Sequence, residues 1–331
     1  MSNKDISVIV PVFNCGAYLA LLLDSLYQQS GVSLEIIAVN DGSTDNSLAI
    51  LENAAHLDPR LVIISQPNQG LSAARNAGIS RASARWVAFA DGDDWLAPNA
   101  LLTWLRQAEQ QQLDLLVGNG FSFTTDPYFP PESPLLHKQL WGQTLSGQQW
   151  IIRSVEHNEW PHYAWLQLIR RELINTHQLV FIPKMLHEDI LWTTHLALVT
   201  RRIGFCETPF YGYRTNPQSI THSPSTQALL ARANSYLHII KALVSLARAQ
   251  ELPLRAALLR HANQESGHFL GLMRKRLPPS PERTALAIEF RELGLPSALY
   301  RGASNIHEFW RALRCSVILA RLAQPNHNPK K

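Results

Sequence analysis

Four times in its first ninety residues the chain runs through a short apolar, β-branched stretch and then stops at a polar loop. The stretches are Ile6–Phe13, Leu34–Val39, Leu61–Ile64 and Trp86–Ala90. Helical spacing of apolar residues fills the intervals, as in Tyr18, Leu19, Leu22 and Leu26. Such alternation predicts right-handed crossovers and a mostly parallel sheet with helices on both faces, an α/β architecture. It also fixes where function belongs. In an open parallel sheet, ligands bind outside the carboxyl ends of the strands.

Those ends are polar in a selective way. The first strand leads into Pro11-Val-Phe-Asn14, the second into Asn40-Asp41-Gly-Ser43, and the fourth into Asp91-Gly-Asp93-Asp94. Three carboxylates within four positions repel unless positive charge sits among them. Oxygen-only ligands beside a turn glycine suit Mg²⁺ or Mn²⁺. A solvated acidic turn ahead of a helix reads the same way from these residues alone. No Gly-x-Gly-x-x-Gly and no Gly-x-x-x-x-Gly-Lys-Ser/Thr is present, so neither a dinucleotide fingerprint nor a P-loop is expected.

Further along, residues 119–150 lose periodicity and read as a loop-rich insertion. Helices are expected over 164–177 and 187–200, a strand over 205–213, and helices only beyond 223, broken at Pro278-Pro279-Ser-Pro281. Three widely spaced cysteines, Cys15, Cys206 and Cys315, argue against a disulfide framework or a zinc site. Cys15 reads as a small buried thiol rather than a nucleophile. Met1–Asp5 runs straight into a strand-like segment, which leaves no room for a signal peptide, and no apolar stretch reaches membrane-spanning length. The expectation is a cytoplasmic protein.

Charge divides the chain. The net +4 is the sum of −6 over residues 1–222 and +10 over residues 223–331. A basic tail on an acidic body points to an anionic partner. Nothing resembles a nucleic-acid motif, so the expected surface is a membrane, met peripherally. Within the tail, Ile306–Leu322 puts Ile306, Phe309, Trp310, Leu313, Val317 and Ala320 on one side, with Arg314 and Arg321 beside that stripe and Arg311 further round. Such a helix lies on lipid or packs on its own domain, and the sequence leaves both open.

Four segments carry a resemblance. Ser7–Asn14, Val39–Ser47, Gly70-Leu-Ser-Ala-Ala-Arg-Asn-Ala-Gly-Ile79 and Phe89–Trp95 look like the N-terminal signatures of family 2 glycosyltransferases, in that family's order and spacing. The resemblance implies the GT-A fold, a divalent metal (Mg or Mn), a UDP-sugar donor and inversion at the anomeric carbon. It suggests Pro11 and Asp41 at the uracil, Arg75 near the base or phosphates, and Asp91-Gly-Asp93 as the Asp-x-Asp motif at ribose and metal. His187-Glu188-Asp189 resembles the family's Glu-Asp motif, with Asp189 as the base and Glu188 next. An acidic first helical turn that complements the helix dipole reads the same way. Tyr211-Gly-Tyr-Arg214…Ser219-Ile-Thr-His222 is similar to a pattern in bacterial members. There Arg214 and Ser219 would meet the diphosphate and His222 would complete the metal sphere, although an exposed loop histidine reads the same way.

The implied organisation is a glycosyltransferase domain over 1–222, with a nucleotide-binding half (1–118) and an acceptor half (119–222), followed by a basic helical extension over 223–331. A finer resemblance, over Trp160–Leu173 and His187–Thr194, is to enzymes adding a uronic acid or hexose to the heptose region of lipopolysaccharide core. The acceptor would then be an oligosaccharide or lipid-linked glycan. Arg170, Arg171 and Lys184 stand as candidate partners for a uronate carboxyl. Two other classes remain to weigh. A sugar nucleotidyltransferase wants a Gly-rich basic loop after the first strand, and Pro11–Gly16 carries no Lys or Arg. A non-catalytic sugar-binding or membrane-binding module has no use for an intact set of Asp41, Asp91, Asp93 and Asp189.

Overall fold

The computed structural model describes residues 4–131, 133–215 and 224–324, and the chain packs as two units. The strand-containing unit takes in 4–150, 159–184 and 188–215. In chain order it is built from β1 (Ile6–Val12), α1 (Gly16–Tyr27), β2 (Leu34–Asp41), α2 (Ser47–Leu57), β3 (Leu61–Gln66), α3 (Leu71–Arg81), β4 (Trp86–Phe89), β5 (Trp95–Leu96), α4 (Ala100–Gln110), β6 (Leu115–Phe123), β7 (Thr144–Leu145), the start of α5 (Gly147–Glu156), β8 (Gln167–Arg170), α6 (Arg171–Thr176), α7 (Glu188–Val199) and β9 (Ile203–Arg214).

One sheet joins all nine strands, in the order β3-β2-β1-β4-β8-β6-β9-β5 with β7 alongside β9. The neighbours β1–β2, β2–β3, β1–β4 and β6–β9 run parallel. β1 and β2 are buried along their whole length, as strands covered on both faces must be, and this is why their sequences are nearly unbroken runs of Val and Ile. Edge strand β3 is only partly covered. On one face α3 lies so close that a Cβ at Gly78 would meet Ile9 Cγ2 at 2.3 Å. Small residues in α3 bring its backbone, and with it Arg75, down onto the sheet.

The expected helix over 164–177 is not there. A 3₁₀ turn (Ala164–Leu166) leads into β8, which runs antiparallel between β4 and β6, and only Arg171–Thr176 is helical. Trp165, Leu168 and Ile169 fall at helical spacing, but Trp165 is buried in the 3₁₀ turn and Leu168 and Ile169 in β8, and cross-sheet packing overrides the local pattern. The reversal matters for placement. Arg170 pairs with Trp86, the first residue of β4, and so stands at the edge opposite Asp91.

The helical unit takes in 151–158, 185–187 and 224–324. It contains α8 (Thr226–Arg248), α9 (Leu254–Gly271) running on into a π-helical turn (Leu272–Arg276), α10 (Pro281–Glu292), α11 (Leu295–Arg301) and α12 (Ile306–Leu322). Its core includes Leu258, Phe269, Phe290 and Leu299, with Phe269 and Phe290 stacked at 5.4 Å. The break expected at Pro278–Pro281 falls between α9 and α10. The inclusion of 151–158 was not foreseen. Gln264 of α9 holds that segment by donating to the Val155 carbonyl and to Asn158 Oδ1.

Candidate active site

Asp41 ends β2 and Asp91 follows β4, two positions apart in strand order at the same sheet edge. The two carboxylates do different work. Asp41 is buried, and its oxygens accept from Gln66 Nε2 (2.7 Å), Gln69 N (2.9 Å) and Gly70 N (2.8 Å). It folds the loop that Gly70, at φ +88°, turns into α3. A carboxylate offers about four acceptor positions, so roughly one is left for a base N–H. Pro11 lies buried in β1 opposite Val39.

Arg75, one turn into α3, is the centre of the site. Its side chain is 3 % exposed, and the fork donates through Nη2 to Asp91 Oδ1 (2.9 Å) and through Nη1 to Glu188 Oε1 (2.5 Å). Burial works against its charge, but Asp91, Glu188 and Asp189 outweigh that and raise its pKa further. The guanidinium also lies over the Phe181 ring at 5.2 Å. Arg75 thus bridges two acids within the protein, one after β4 and one at the start of α7. Asn76, next in the helix, exchanges two hydrogen bonds with the Phe181 backbone. Phe181 in turn stacks on Trp192 of α7 at 4.1 Å, and both rings meet Phe89 edge-on. Through these contacts α3, α7 and β4 are held in one register.

Glu188 and Asp189 open α7. Glu188 is buried and committed to Arg75, whereas Asp189 keeps part of its surface open. Neighbouring helical residues diverge by about 100°, which is how consecutive acids take different roles. Burial, only partly offset by Arg75, pushes both carboxyls up to about 7. Asp189 is raised further by the charge of Asp91. The other end of the α7 register is fixed by Trp192 Nε1 donating to Gln167 Oε1 and Gln167 Nε2 donating to Thr193 Oγ1.

The acidic turn divides three ways. Asp94 points inward and is fully buried, accepting from Tyr211 OH (2.7 Å) and the Arg214 backbone N–H (2.8 Å). Burial first, then the charges of Asp91 and Asp93, hold its carboxyl well above the usual range. Asp93 and Asp91 stay at the open side, partly exposed. Gly92 between them has no room for a side chain, since a Cβ would meet Cys15 Sγ at 2.5 Å. That thiol is pushed up to about 12 by burial and by Asp93, so it stays neutral, in keeping with the packing role expected of it.

Arg214 is anchored at the same acidic turn. It is buried between the rings of Tyr18 and Phe123, donating through Nε to the Asp93 carbonyl (2.8 Å) and through Nη1 to the Thr124 and Thr125 carbonyls. It clamps the acidic turn. Arg170 and Arg171 stand elsewhere than expected. Arg170 donates to the Leu113 carbonyl and Arg171 to that of Ala84, both at the amino edge of the strands, away from Asp91. Ser219 and His222 lie outside the described residues.

An aromatic ladder adjoins the turn. Trp165 stacks on Tyr211 (4.4 Å), Tyr163 (4.9 Å) and Tyr213 (5.6 Å). Tyr211 OH also accepts from the Asp91 N–H, so the ladder is hydrogen-bonded to the acids. Tyr163 and Tyr213 are partly open, with phenol pKa values raised by burial first and then by Asp189 at Tyr163 and by Asp94 and Asp93 at Tyr213. Trp165 is buried and backs the two tyrosines. The inward turn of Asp94 had no sequence signal. The bridging role of Arg75 had a faint one, a basic residue inside a helix of small residues.

Among the described residues no three His, Cys, Asp or Glu side chains form a ready-made metal cage. The donor set still fits a hard divalent cation. Mg²⁺-type sites use one or two carboxylates and complete the shell with water and substrate phosphates. The Asp94 carboxyl is raised by burial first, and then by the negative charges of Asp91 and Asp93, which a cation would relieve.

Comparison with known proteins follows the same residues. The model of the family described as "Glycosyl transferase family 2" matches residues 7–192. The "Uncharacterized glycosyltransferase YibD" of Escherichia coli is 31% identical over 253 residues, 76% of this chain and 71% of that protein. The "Uncharacterized glycosyltransferase EpsJ" of Bacillus subtilis is 34% identical over 228 residues, 68% of this chain and 65% of that protein. Among solved structures, Staphylococcus aureus TarS 1-349 in complex with UDP-GlcNAc matches with a TM-score of 0.57 at 19% identity, over 96% of this chain and 92% of that one. The mannosyltransferase PcManGT of Pyrobaculum calidifontis, in complex with GDP-Man and Mn²⁺, matches with a TM-score of 0.55 at 15% identity, over 97% of this chain and 87% of that one. At these identities the structural likeness is one of fold.

Proposed function

The chain belongs to glycosyl transferase family 2 and is a glycosyltransferase of GT-A fold, and from that premise we propose that it transfers the sugar of a UDP-sugar to a glycan hydroxyl with inversion, using Asp189 as general base. The observation that carries this reading is the division of labour at the start of α7. Glu188 is bound to Arg75, while Asp189 beside it is partly open and raised to about 7, the range in which a base is effective near neutral pH. The UDP and UDP-GlcNAc complexes of the TarS structures support the choice of nucleotide.

In this mechanism the acceptor O–H gives its proton to an Asp189 carboxylate oxygen. The acceptor oxygen bonds to the anomeric carbon from the face opposite the nucleotide. The bond from that carbon to the diphosphate oxygen breaks, and its electron pair leaves on UDP. Asp93, with Asp91, would hold a divalent ion (Mg²⁺ or Mn²⁺) that supplies charge neutralisation for the diphosphate. The Mn²⁺ in the PcManGT complex supports a metal of this kind. Arg75 holds Asp91 and Glu188 in place. Arg214 acts at one remove, by holding the Asp93 carbonyl. Tyr163 and Tyr213 offer ring faces to the apolar side of a sugar.

The finer reading is cell-surface glycan assembly, with lipopolysaccharide core as acceptor and a hexose or uronic acid as the transferred sugar. The resemblance over 160–173 and 187–194 supports it. A lipid-linked acceptor would place the enzyme peripherally at the inner face of the cell membrane. Titrating the full chain with UDP and a panel of UDP-sugars, in Mg²⁺, in Mn²⁺ and in EDTA, tests the donor half. Metal-dependent binding that Asp93→Ala abolishes is the expected result, and the sugar hydrolysed fastest names the donor. Absence of any UDP binding with either metal would sink the proposal.

A further inference from the structure

The helix α12 turns its apolar stripe outward. The residues it buries are Glu308, Ala312, Cys315 and Leu319. At about 100° per residue this face lies opposite the stripe formed by Ile306, Trp310, Leu313 and Val317. The stripe is open: Ile306 is 61% exposed, Trp310 49%, Phe309 46% and Val317 41%. Packing of α12 on its own unit is therefore already satisfied by the other face. Glu308 accepts from Arg260 and Ser304, Asn263 donates to the Glu308 carbonyl, and Arg311 donates to Asn263. Arg314 and Arg321 are exposed and flank the stripe.

We propose that this outward face of α12 docks on an anionic lipid bilayer, with Ile306, Phe309, Trp310 and Val317 entering the interfacial region and Arg314 and Arg321 meeting lipid phosphates. Charge selects this occupant. Residues 223–331 carry a net +10, and each basic residue near a negative surface strengthens attachment. A second copy of the chain would present the same arginines and repel. Trp and Phe beside Arg is also the composition that favours a membrane–water boundary. No helix among the described residues is long and apolar enough to cross a membrane, so attachment by this face is peripheral. The inference does not rest on the donor or the acceptor, because it concerns a surface that acts without either.

Co-sedimentation of the full chain with vesicles tests it. Wild type should pellet with vesicles of phosphatidylcholine and phosphatidylglycerol, release as salt rises, and remain in solution with phosphatidylcholine alone. Arg314→Ala with Arg321→Ala should weaken binding about fivefold for each arginine removed. Trp310→Glu with Val317→Glu should weaken it by more than about thirtyfold. All four sites are exposed, so the melting midpoint and UDP binding should stay as in wild type; the arginine pair keeps the test valid if the glutamate pair unfolds. Three results would overturn the proposal: no binding to the anionic vesicles, binding that neither pair of changes reduces, or a dimer in sedimentation velocity that the glutamate pair dissociates while vesicle binding is absent.

Discussion

The two ends of the same sheet each bury an acid, and they treat it in opposite ways. At the amino edge, Glu35 in β2 accepts from Lys4 Nζ (2.7 Å), Ser7 Oγ (2.5 Å) and the Ser83 N–H (2.6 Å). Burial alone would raise its pKa, but these donors reverse the sign and bring it to about 2. At the carboxyl edge, Glu188 and Asp189 share one cation, Arg75, with Asp91, and both carboxyls rise to about 7. An acid past the strand ends can be saturated: the Asp41 oxygens, at the end of β2, accept three protein donors. The amino edge is built to hold the sheet together. The carboxyl edge is left short of donors, a state that costs stability and suits a group that must take up and release a proton.

The largest effect should come from Asp189→Asn. Removing the base should lower turnover by about 10²–10⁴-fold while UDP-sugar binding persists, as measured by steady-state rates beside calorimetric titration. The same change should stabilise the fold at pH 8, by on the order of 2 kcal/mol, because a carboxyl raised from its usual value is ionised there at a cost. The sign follows from proton counting. Between pH 4 and 7 the folded state holds a proton that the unfolded chain has lost, so this group's contribution to stability declines as pH rises through that window. Turnover in the wild type should rise with pH along a limb centred near 7, where Asp189 becomes a base. A flat profile from pH 5 to 9, or an asparagine variant with near-normal turnover, would move the base elsewhere.

Arg75→Lys comes next. A lysine keeps one charge but lacks the planar fork that reaches Asp91 and Glu188 together. Turnover should fall about 10–100-fold. The pH limb should move upward, because Arg75 is the group that lowers both α7 carboxyls. Loss of turnover with an unmoved limb would mean that Arg75 only shapes the pocket.

Much of this edge was legible in the sequence because it is a matter of strand ends. Apolar runs that stop at Asn14, Asp41 and Asp91 put those residues at one edge as soon as the strands are parallel, and their order along the chain sufficed. The GT-A sheet and the positions of Asp91, Asp93 and Asp189 followed from that and from the family's signatures. What stayed hidden depends on direction within a turn or on a reversal of the chain. Asp94 is indistinguishable from Asp93 until Tyr211 and the Arg214 N–H draw it inward. Arg170 and Arg171 looked free to meet a sugar carboxyl until the antiparallel course of β8 carried them to the far edge. In α12 the apolar stripe stood out, but the sequence left open whether it lies on lipid or packs on its own domain. The face that packs is formed by Ala312, Cys315 and Leu319 with Glu308, residues too small or too few to stand out as a packing stripe.

The smallest effect on turnover should follow from Glu35→Ala, although its effect on stability is large. The substitution leaves Ser7 Oγ, the Ser83 N–H and Lys4 Nζ without their acceptor, while the Ala84 N–H keeps Ser7 Oγ. Unmade bonds to a charged group cost about 1.5–3 kcal/mol each, partly recovered where water can enter, so a total loss of about 2–4 kcal/mol is expected by denaturant titration at pH 7. The pH signature is the mirror image of that at Asp189. A depressed carboxyl contributes stability above its unfolded value near 4.5 and loses it as pH falls toward about 2, so wild type and variant should converge in acid. Turnover of the folded variant should stay within about twofold of wild type, since Glu35 sits near the start of β2 and the reacting groups lie past the strand ends. If Glu35→Ala instead lowers turnover as Arg75→Lys does, without loss of stability, the two edges are coupled through β2 and the contrast between a saturated structural acid and an under-compensated catalytic one fails.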